Sequence, residues 1–417
     1  MKLLISTYAC APNRGSEHGV GWNWTTEAHR QGHEVWAMAS TSQRAAIEAA
    51  CRTDPSLAGI HWCFPEVPGW PLTPGIEPTW ERTYNLLWQR MALRHARALQ
   101  REVSFDLVHH LTWGGVRAPT FLGGLGVPLI VGPIGGGETS PATLRDTFSL
   151  RGRITERIRD LSNATITHNP IVRGGLADAD IIFVKTPETR DLLGPAFARQ
   201  VEPFIELTLA AEQIQPIRRP PPKSPRLLFA GRLLYWKGAH IAVSAFSELA
   251  RKIPDAQMTL VGKGPEKARL RALAASLGVA DRITFVEWLP QVELFELYAK
   301  HDLFVFPSLH DSSGNVVLVS LACGLPVMCL DLGGPRQIVT SKSGIVVPTA
   351  GRDTVAVAAA MATEMAQMFA DPAKLADLSR GAIERSRDFL LRDQIARFYT
   401  TAAERLGLPV TTLRAAA

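Results

Sequence analysis

The strongest constraint on the fold is an alternation of short apolar segments with segments of helical periodicity. It occupies the first half of the 417 residues and restarts at residue 226. This order of elements predicts parallel sheets with helices on both faces. A chain of this length is also too long for one ordinary hydrophobic core. We therefore expect an α/β protein of two Rossmann-like domains.

The predicted strands of the first half lie at 2–7, 34–39, 106–110, 128–132 and 180–185, the last of these closing the sheet. Those of the second half lie at 226–230, 257–261, 282–286, 303–307 and 326–330. Between them, residues 216–225 are rich in proline, which excludes a helix or a central strand. We predict a first domain at 1–205, a linker at 206–225, a second domain at 226–392 and a C-terminal helical segment at 393–417.

Composition excludes several classes of protein. The net charge of +6 permits anionic ligands or a membrane surface but does not indicate nucleic acid. No apolar run approaches the ~18 residues of a spanning helix, and the apolar start is too short for a secretory signal. The five cysteines are few, odd in number and never spaced C-x-x-C, so we expect a reducing, cytoplasmic compartment and no thiolate metal site.

Two loops that follow predicted strands of the second half carry ligand-binding chemistry. Arg232 and Lys237 follow the strand at 226–230, where a guanidinium and an ammonium suit a diphosphate; a solvated basic loop is the alternative. Ser313, Gly314, Asn315 and Val316 open a helix after the strand at 303–307. Free N–H groups at such a helix start bind anions, although an ordinary helix cap is the alternative.

The glycine-rich segment after the first strand is a weaker signal. Gly15 and Ser16 open the run G-x-x-x-G-x-G, which differs from the dinucleotide fingerprint G-x-G-x-x-G. The acidic residue expected after the second strand is also missing. These differences argue against a nicotinamide dehydrogenase, while the segment remains a candidate for contact with a phosphate or sugar.

Five motifs follow one another in the second half: G-R-x-x-x-x-K-G at 231–238, V-G-x-G-P at 261–265, P-S with A-C-G-x-P-V at 307–327, G-G-P at 333–335 and G-x-x-V-P at 344–348. In this order they resemble the nucleotide-sugar-binding half of the retaining GT-B glycosyltransferases of family 4, the glycosyl transferases group 1. The first half resembles that family less closely. The resemblance implies two Rossmann-like domains facing a central cleft, with the C-terminal helix crossing back to the first.

The resemblance also implies roles for individual residues. Arg232 and Lys237 would hold the donor diphosphate, assisted by backbone amides at 314–316 and by the loops that contain Gly231 and Gly262. The Gly15 loop would approach the sugar or its phosphate, while Trp288 and Leu289 would lie near the base. The resemblance also implies that no bound metal or other cofactor is needed. The expected donor, a UDP- or GDP-linked sugar, is a substrate rather than a cofactor.

The chain departs from the family pattern at three positions. The family usually has two glutamates with seven residues between them. Here Asp311 occupies the first position and is a catalytic candidate, and Val319 occupies the second, where Asp331 is a possible replacement. The third difference lies in the first domain, where Leu111 occupies the position of the family's motif histidine. His110 is then the nearer catalytic candidate, and His109 is the alternative, although either residue can be an ordinary core histidine.

Two further segments carry isolated acidic groups. A glycine loop after the strand at 128–132 ends at Glu138, its one carboxylate. Asp178 and Asp180 spell D-x-D, a metal-binding motif in a different glycosyltransferase fold, but they directly precede a predicted strand. A helix end or strand start explains them without a metal ion.

The acceptor side is less defined. Residues 77–103 hold Trp80, Trp88 and five arginines, and residues 151–159 form a second basic stretch. Such segments suit either peripheral contact with the inner face of an anionic membrane or a packed helix with a charged outer face. A retaining hexosyltransferase acting on a lipid-linked or polysaccharide glycan is the main hypothesis. An impaired homologue that serves as a binding or scaffold protein, and a sugar-nucleotide epimerase, are the alternatives.

Overall fold

A computed structural model describes residues 1–70, 72, 80–215, 224–287 and 289–409. The chain forms two compact units. Unit 1 comprises Met1–Gly137, Ser162–Thr208 and Leu391–Ala417, and unit 2 comprises Glu138–Leu161 and Leu209–Leu390. The segment Glu138–Leu161 thus belongs with the second unit, whereas the sequence-based boundaries assigned it to the first.

Unit 1 contains a seven-stranded parallel sheet in the order β3-β2-β1-β4-β5-β6-β7. Its strands are β1 Lys2–Ser6, β2 Glu34–Met38, β3 His61–Cys63, β4 Leu107–His110, β5 Leu129–Ile134, β6 Ile181–Val184 and β7 Val201–Pro203. Its helices include α1 Ser16–Arg30, α2 Arg44–Thr53 and α3 Glu81–Val103; α4 Leu150–Ile166 straddles the boundary between the units, and α5 Pro170–Ala177 and α6 Pro187–Leu193 follow.

One expectation for unit 1 was wrong. The strand at 180–185 is not the last, because the three-residue edge strand β7 follows it and ends in a proline, which hides it in a sequence pattern. Of the two readings of residues 77–103, the packed helix agrees with the position of Trp88, which is fully buried in the core on the inner face of α3.

Unit 2 contains a six-stranded parallel sheet in the order β10-β9-β8-β11-β12-β13. Its strands are β8 Arg226–Ala230, β9 Gln257–Val261, β10 Ile283–Val286, β11 Leu303–Phe306, β12 Val327–Leu330 and β13 Gly344–Val347. Its helices are α7 Ala239–Lys252, α8 Lys267–Ser276, α9 Gln291–Lys300, α10 Asn315–Ala322, α11 Gly333–Ile338, α12 Thr354–Ala370 and α13 Pro372–Arg387.

The C-terminal helix α14, Leu391–Leu406, returns to unit 1, as predicted. It packs against α1, and its side chains Ile395, Phe398 and Tyr399 are buried among strand residues of the first sheet. The hydroxyl group of Tyr399 lies 2.9 Å from Nδ1 of His109 on β4. The apolar face of α14 is therefore part of the core of unit 1.

Candidate functional site

The candidate site of unit 2 lies where β8 and β11 run side by side. The chain leaves β8 toward β9 on one side of the sheet, while β12 and β13 lie on the other side of β11. Ligands of open parallel sheets bind at such reversal points, outside the carboxyl ends of the strands. The loops that follow β8 and β11 both begin at this edge, so their side chains are the first candidates for ligand contact.

The loop after β8 is held against the loop after β9. Leu233 donates its N–H to the carbonyl oxygen of Lys263 at 2.8 Å. A Cβ atom at Gly262 would lie 1.9 Å from the carbonyl oxygen of Gly231, so only glycine fits. Within this fixed loop, the Arg232 side chain is exposed and has no hydrogen-bond partner among the described residues. Its guanidinium is therefore available to an anion.

The loop after β8 is also held against the loop after β11. Gly238 has a φ of 73°, and a Cβ atom there would lie 1.8 Å from the carbonyl oxygen of Pro307. Leu309 donates its N–H to the carbonyl oxygen of Trp236 at 2.8 Å. The glycine at the end of the first motif thus permits the close approach that brings the two loops together.

An ion pair joins these two loops. Nζ of Lys237 lies 2.5 Å from Oδ2 of Asp311, and the two side chains are only 19% and 16% exposed. The ammonium also lies 5.6 Å from the centre of the Phe306 ring. Because water reaches the pair only partly, the carboxylate fixes the position of the ammonium and partly offsets its charge.

The start of α10 supplies anion-binding groups beside Asp311. Gly314 precedes the helix with a φ of 96°, and the N–H groups of Asn315 and Val316 belong to the first turn, where no intrahelical acceptor exists. Ser313 donates its N–H to Oδ1 of Asp311 at 3.4 Å. Arg232, Lys237 and these amides therefore belong to loops at one edge of one sheet.

The second acidic position of the family pattern carries no charge. Val319 is partly buried on α10. Asp331, the possible replacement, accepts hydrogen bonds at Oδ1 from the N–H and the hydroxyl group of Thr349, at 2.9 and 2.7 Å. One oxygen of Asp331 is thus engaged in holding the chain after β13.

A buried cluster beneath the two loops was not predicted. Oε1 of Glu156, on α4, accepts the hydroxyl group of Tyr235 at 3.0 Å and lies 3.3 Å from Nε2 of His310. His310 in turn stacks on Trp236, with ring centres 5.2 Å apart. In the sequence, only the aromatic pair Tyr235 and Trp236, between the two cations of the first motif, indicated this cluster. No sequence pattern indicated a role for Glu156.

The cluster holds its carboxylate ionised. Burial alone would raise the pKa of Glu156, but bonds from His310 and Tyr235 and the nearby Arg159 lower it to about 2. Burial and the charge of Glu156 raise the pKa of Tyr235 to about 12. Burial also lowers the pKa of His310, although its bond to Glu156 acts in the opposite direction. The imidazole of His310 and the phenol of Tyr235 thus both bond to one buried carboxylate.

The histidines of unit 1 lie at the end of β4, beside β1, where the order of that sheet reverses. His109 is fully buried, with Nδ1 2.9 Å from the Tyr399 hydroxyl group and Nε2 2.8 Å from the carbonyl oxygen of Gly132. This arrangement favours the core role for His109. His110 is 1% exposed, neither ring nitrogen has a partner among the described residues, and burial lowers its pKa to about 4.

The glycine segment after β1 is largely helical. Gly15 precedes α1 and Ser16 begins it, with a φ of 57°. Gly21 lies inside the helix, where a Cβ atom would come within 2.1 Å of the carbonyl oxygen of Ala9. Part of the glycine pattern therefore serves helix packing, and Gly15 and Ser16 remain as candidates for ligand contact.

The other predicted residues are dispersed. Trp288 lies outside the described residues, and Leu289 is half-buried in the segment before α9. Glu138 is 5% exposed. In the D-x-D sequence, Asp178 is the C-cap residue directly after α5, and Asp180 accepts the N–H of Leu129 at 2.8 Å. Both aspartates thus have local structural positions, and the described residues contain no group of three or more His, Cys, Asp or Glu side chains arranged for a metal ion.

Comparison with known families confirms the resemblance for the second half of the chain. Residues 211–385 match the family described as glycosyl transferases group 1. A D-inositol 3-phosphate glycosyltransferase from Acidothermus cellulolyticus is 35% identical over 202 residues, which cover 43% of this chain and 44% of that protein. A GDP-mannose-dependent alpha-(1-6)-phosphatidylinositol monomannoside mannosyltransferase from Mycolicibacterium smegmatis is 32% identical over 36% of this chain and 40% of its own length. The chain spans less than half the length of these relatives.

Solved structures share the fold over nearly the whole chain. Sucrose-phosphate synthase from Thermosynechococcus elongatus superposes with a TM-score of 0.61 at 18% identity, covering 97% of this chain and 99% of its own. The Anabaena protein HepE, solved in complex with UDP, superposes with a TM-score of 0.60 at 15% identity, covering 97% and 100%. These likenesses confirm the predicted fold class, a GT-B protein of two parallel-sheet units.

Proposed function

We propose that this chain, whose residues 211–385 match the glycosyl transferases group 1, is a glycosyltransferase that moves a hexosyl group from a nucleoside diphosphate sugar to an acceptor. The observation that supports it most strongly is the pairing of the loops after β8 and β11. Their contacts bring an unpaired guanidinium, a positioned ammonium and the free amides of α10 to one edge of the sheet in unit 2. This combination of donors suits a diphosphate.

In the proposed reaction, the bond between the anomeric carbon and the diphosphate oxygen breaks, the acceptor oxygen bonds to the same carbon, and the proton of the acceptor hydroxyl passes to the departing diphosphate. Arg232 and Lys237 offset the charge that develops on the leaving diphosphate, and the first-turn amides of α10 add to this effect. These groups take the place of a metal ion, so transfer should persist in EDTA. We expect retention at the anomeric carbon, as the resemblance implies.

The donor and acceptor classes extend this proposal. One relative is named as dependent on GDP-mannose and one structural neighbour was solved with UDP, so sugars linked to either nucleotide are the donors to test. We place the acceptor, a polysaccharide or lipid-linked glycan, on unit 1, where both ring nitrogens of His110 lack a partner among the described residues. The described helices include none long and apolar enough to cross a membrane. The proposed place of action is the cytoplasm, with peripheral contact at the inner face of the membrane.

The test is donor binding followed by transfer. Calorimetry with UDP and GDP should show binding of at least one of them, and Arg232→Ala should weaken it about tenfold or more, because a charge-assisted contact is lost. Arg251→Ala is the matched control, since Arg251 is exposed in the same unit and, among the described residues, pairs only with its helix neighbour Glu248. Equal affinities of Arg232→Ala and the parent protein would contradict the assigned role.

A nucleotide-binding or scaffold protein without transferase activity is the second candidate. The observation that favours it is the uncharged Val319 on α10, together with the engagement of Asp331 by Thr349. Val319→Glu should tighten nucleotide binding about tenfold or more if the pocket lacks only this carboxylate, because a carboxylate accepts hydrogen bonds from ribose hydroxyls. Val319→Gln controls for side-chain length. Binding of nucleotide without turnover of any UDP- or GDP-linked sugar would favour this second function.

A further inference from the structure

Helix α4 exposes a continuous apolar stripe. Leu150, Ile154, Ile158 and Leu161 are 76%, 49%, 62% and 67% exposed. Their spacing of four, four and three residues places them on one face of the helix. In the part of the chain that the structure describes, only seven large apolar side chains are exposed, and four of them form this stripe. A surface helix normally turns its charged face outward, so α4 has the reverse arrangement.

Arginines border the stripe on both sides. Helical geometry places Arg151 along one edge and Arg153 and Arg157 along the other, and all three are exposed. Arg153 donates to the backbone carbonyl groups of residues before the helix. Arg151 and Arg157 form no ion pair with any described residue. The outer surface of α4 is therefore apolar along its centre and cationic along its rims.

The opposite face of α4 prevents the stripe from turning inward. Gly152 and Glu156 are buried there, and Glu156 bonds to Tyr235 and His310. Rotation of the helix to bury Ile154 would move an ionised carboxylate away from these partners. The exposure of the stripe is thus fixed by the packing of the same helix.

We infer that the stripe of α4 docks on the surface of an anionic lipid bilayer. The four apolar side chains would enter the boundary between headgroups and acyl chains, while the arginines contact lipid phosphates. Charge favours this partner over a second copy of the chain. Two stripes packed together by a two-fold axis would bring their arginine rims against each other, and Asp160, the acidic residue beside the rim of Arg153 and Arg157, is already paired with Arg145.

The stripe of α4 is not the segment at residues 77–103 that the sequence offered first for membrane contact. The outer face of α3 carries exposed arginines but no exposed large apolar side chain beyond Trp80, which precedes the helix. Its basic residues therefore form a solvated charged face. Because it names the surface for the membrane contact, the inference rests on the proposed function, but vesicle binding is measurable without donor or acceptor.

The experiment is flotation of the full chain with vesicles of phosphatidylcholine alone or mixed with phosphatidylglycerol. We expect binding to the mixed vesicles, reduced by added salt and absent with phosphatidylcholine alone. The double variant Ile154→Gln/Ile158→Gln should lower the partition coefficient at least about tenfold, because apolar surface no longer enters the bilayer. Val355→Gln, which alters a side chain that is 73% exposed on α12, is the matched control and should bind like the parent. Arg151→Gln/Arg157→Gln should reduce the preference for phosphatidylglycerol.

Three outcomes would overturn the inference. The first is equal binding of the parent and the Ile154→Gln/Ile158→Gln variant. The second is no vesicle binding at either composition. The third is a parent dimer in sedimentation velocity that the double variant abolishes, which would assign the stripe to a second copy. Calorimetry with UDP and GDP on the same samples separates the two proposals: nucleotide binding without vesicle binding rejects only the docking surface, and the reverse rejects only the donor site.

Discussion

The pair formed by Lys237 and Asp311 allows a test in which two neighbouring substitutions act in opposite directions. The ammonium is only 19% exposed and lies 2.5 Å from the carboxylate, so its position is fixed before any donor binds. Lys237→Met keeps most of the side-chain volume and removes the charge. The loss of one charge-assisted contact to a diphosphate costs about 1.5–3 kcal/mol. We therefore expect UDP or GDP to bind roughly ten- to a hundredfold more weakly.

Asp311→Asn should have the opposite effect on nucleotide binding. The carboxylate competes with the diphosphate for the ammonium and repels it directly. At a separation of about 6 Å and an effective dielectric constant of about 20–40, one such repulsion amounts to ~1.5–3 kcal/mol. Removing it should tighten the binding of free nucleoside diphosphate about tenfold or more. In the double variant, the gain should largely disappear, because the ammonium that the carboxylate occupied is no longer present.

Titration calorimetry with UDP and GDP at two salt concentrations measures both effects, and thermal unfolding shows whether each variant is folded. Lys300→Met is the matched control: it makes the same change at a side chain that is 64% exposed in the same unit, and binding should not change. If Asp311→Asn weakens binding as much as Lys237→Met does, the carboxylate contacts the donor or the two side chains act only as a structural unit. Either result would refute the competition described above.

Two further predictions concern stability. Gly238→Ala should lower the free energy of unfolding, measured by urea titration, by at least about 2 kcal/mol, because its Cβ atom would lie 1.8 Å from a carbonyl oxygen at a φ of 73°. Gly174→Ala is the control: it lies on a helix with open space around the new methyl group and should be neutral or stabilising. Burial lowers the pKa of His110 to about 4, so its contribution to stability is present above pH ~6.5 and is lost as the pH falls toward 4. His110→Asn should therefore reduce the slope of unfolding free energy against pH by up to ~1.4 kcal/mol per pH unit in this window; an unchanged slope would show that His110 is not held neutral.

The sequence predicted the fold well because parallel strands are buried on both faces and read as short apolar runs. β8 and β9 have the predicted bounds, Arg226–Ala230 and Gln257–Val261. The edge strands β3 and β7 escaped prediction, because three residues are too few to show a pattern. Helix α1 includes Gly19 and Gly21, which resemble loop residues in the sequence although they serve close helix packing.

For the candidate site, position along the chain showed which side chains lie together only when they belong to the same loop. Arg232 and Lys237 could be assigned to one strand-to-helix loop because both lie in a short segment after β8. The bond from Lys237 to Asp311 depends on two strands that are adjacent in the sheet but separated by β9 and β10 along the chain. The contribution of Glu156 could not be predicted, because no local pattern shows that α4 packs beneath Tyr235 and His310.

Helix α4 therefore has two faces with separate consequences, and Glu156→Gln tests the inner one. The substitution keeps the side-chain shape but replaces a buried anion that accepts bonds from Tyr235 and His310. We expect a loss of about 1–3 kcal/mol in the free energy of unfolding at pH 7 and weaker nucleotide binding, because both loops rest on this carboxylate.

The effect of Glu156→Gln on stability should depend on pH. The pKa of Glu156 in the folded protein is about 2, below that of an unfolded glutamate, so its stabilisation is present above pH ~4.3 and is lost as the pH falls toward 2. The stability difference between parent and Glu156→Gln should shrink in that window. Ile154→Gln/Ile158→Gln, on the outer face of the same helix, should leave both stability and nucleotide binding unchanged. If the outer variant impaired nucleotide binding while Glu156→Gln did not, the donor site would depend on the exposed stripe rather than on the buried carboxylate.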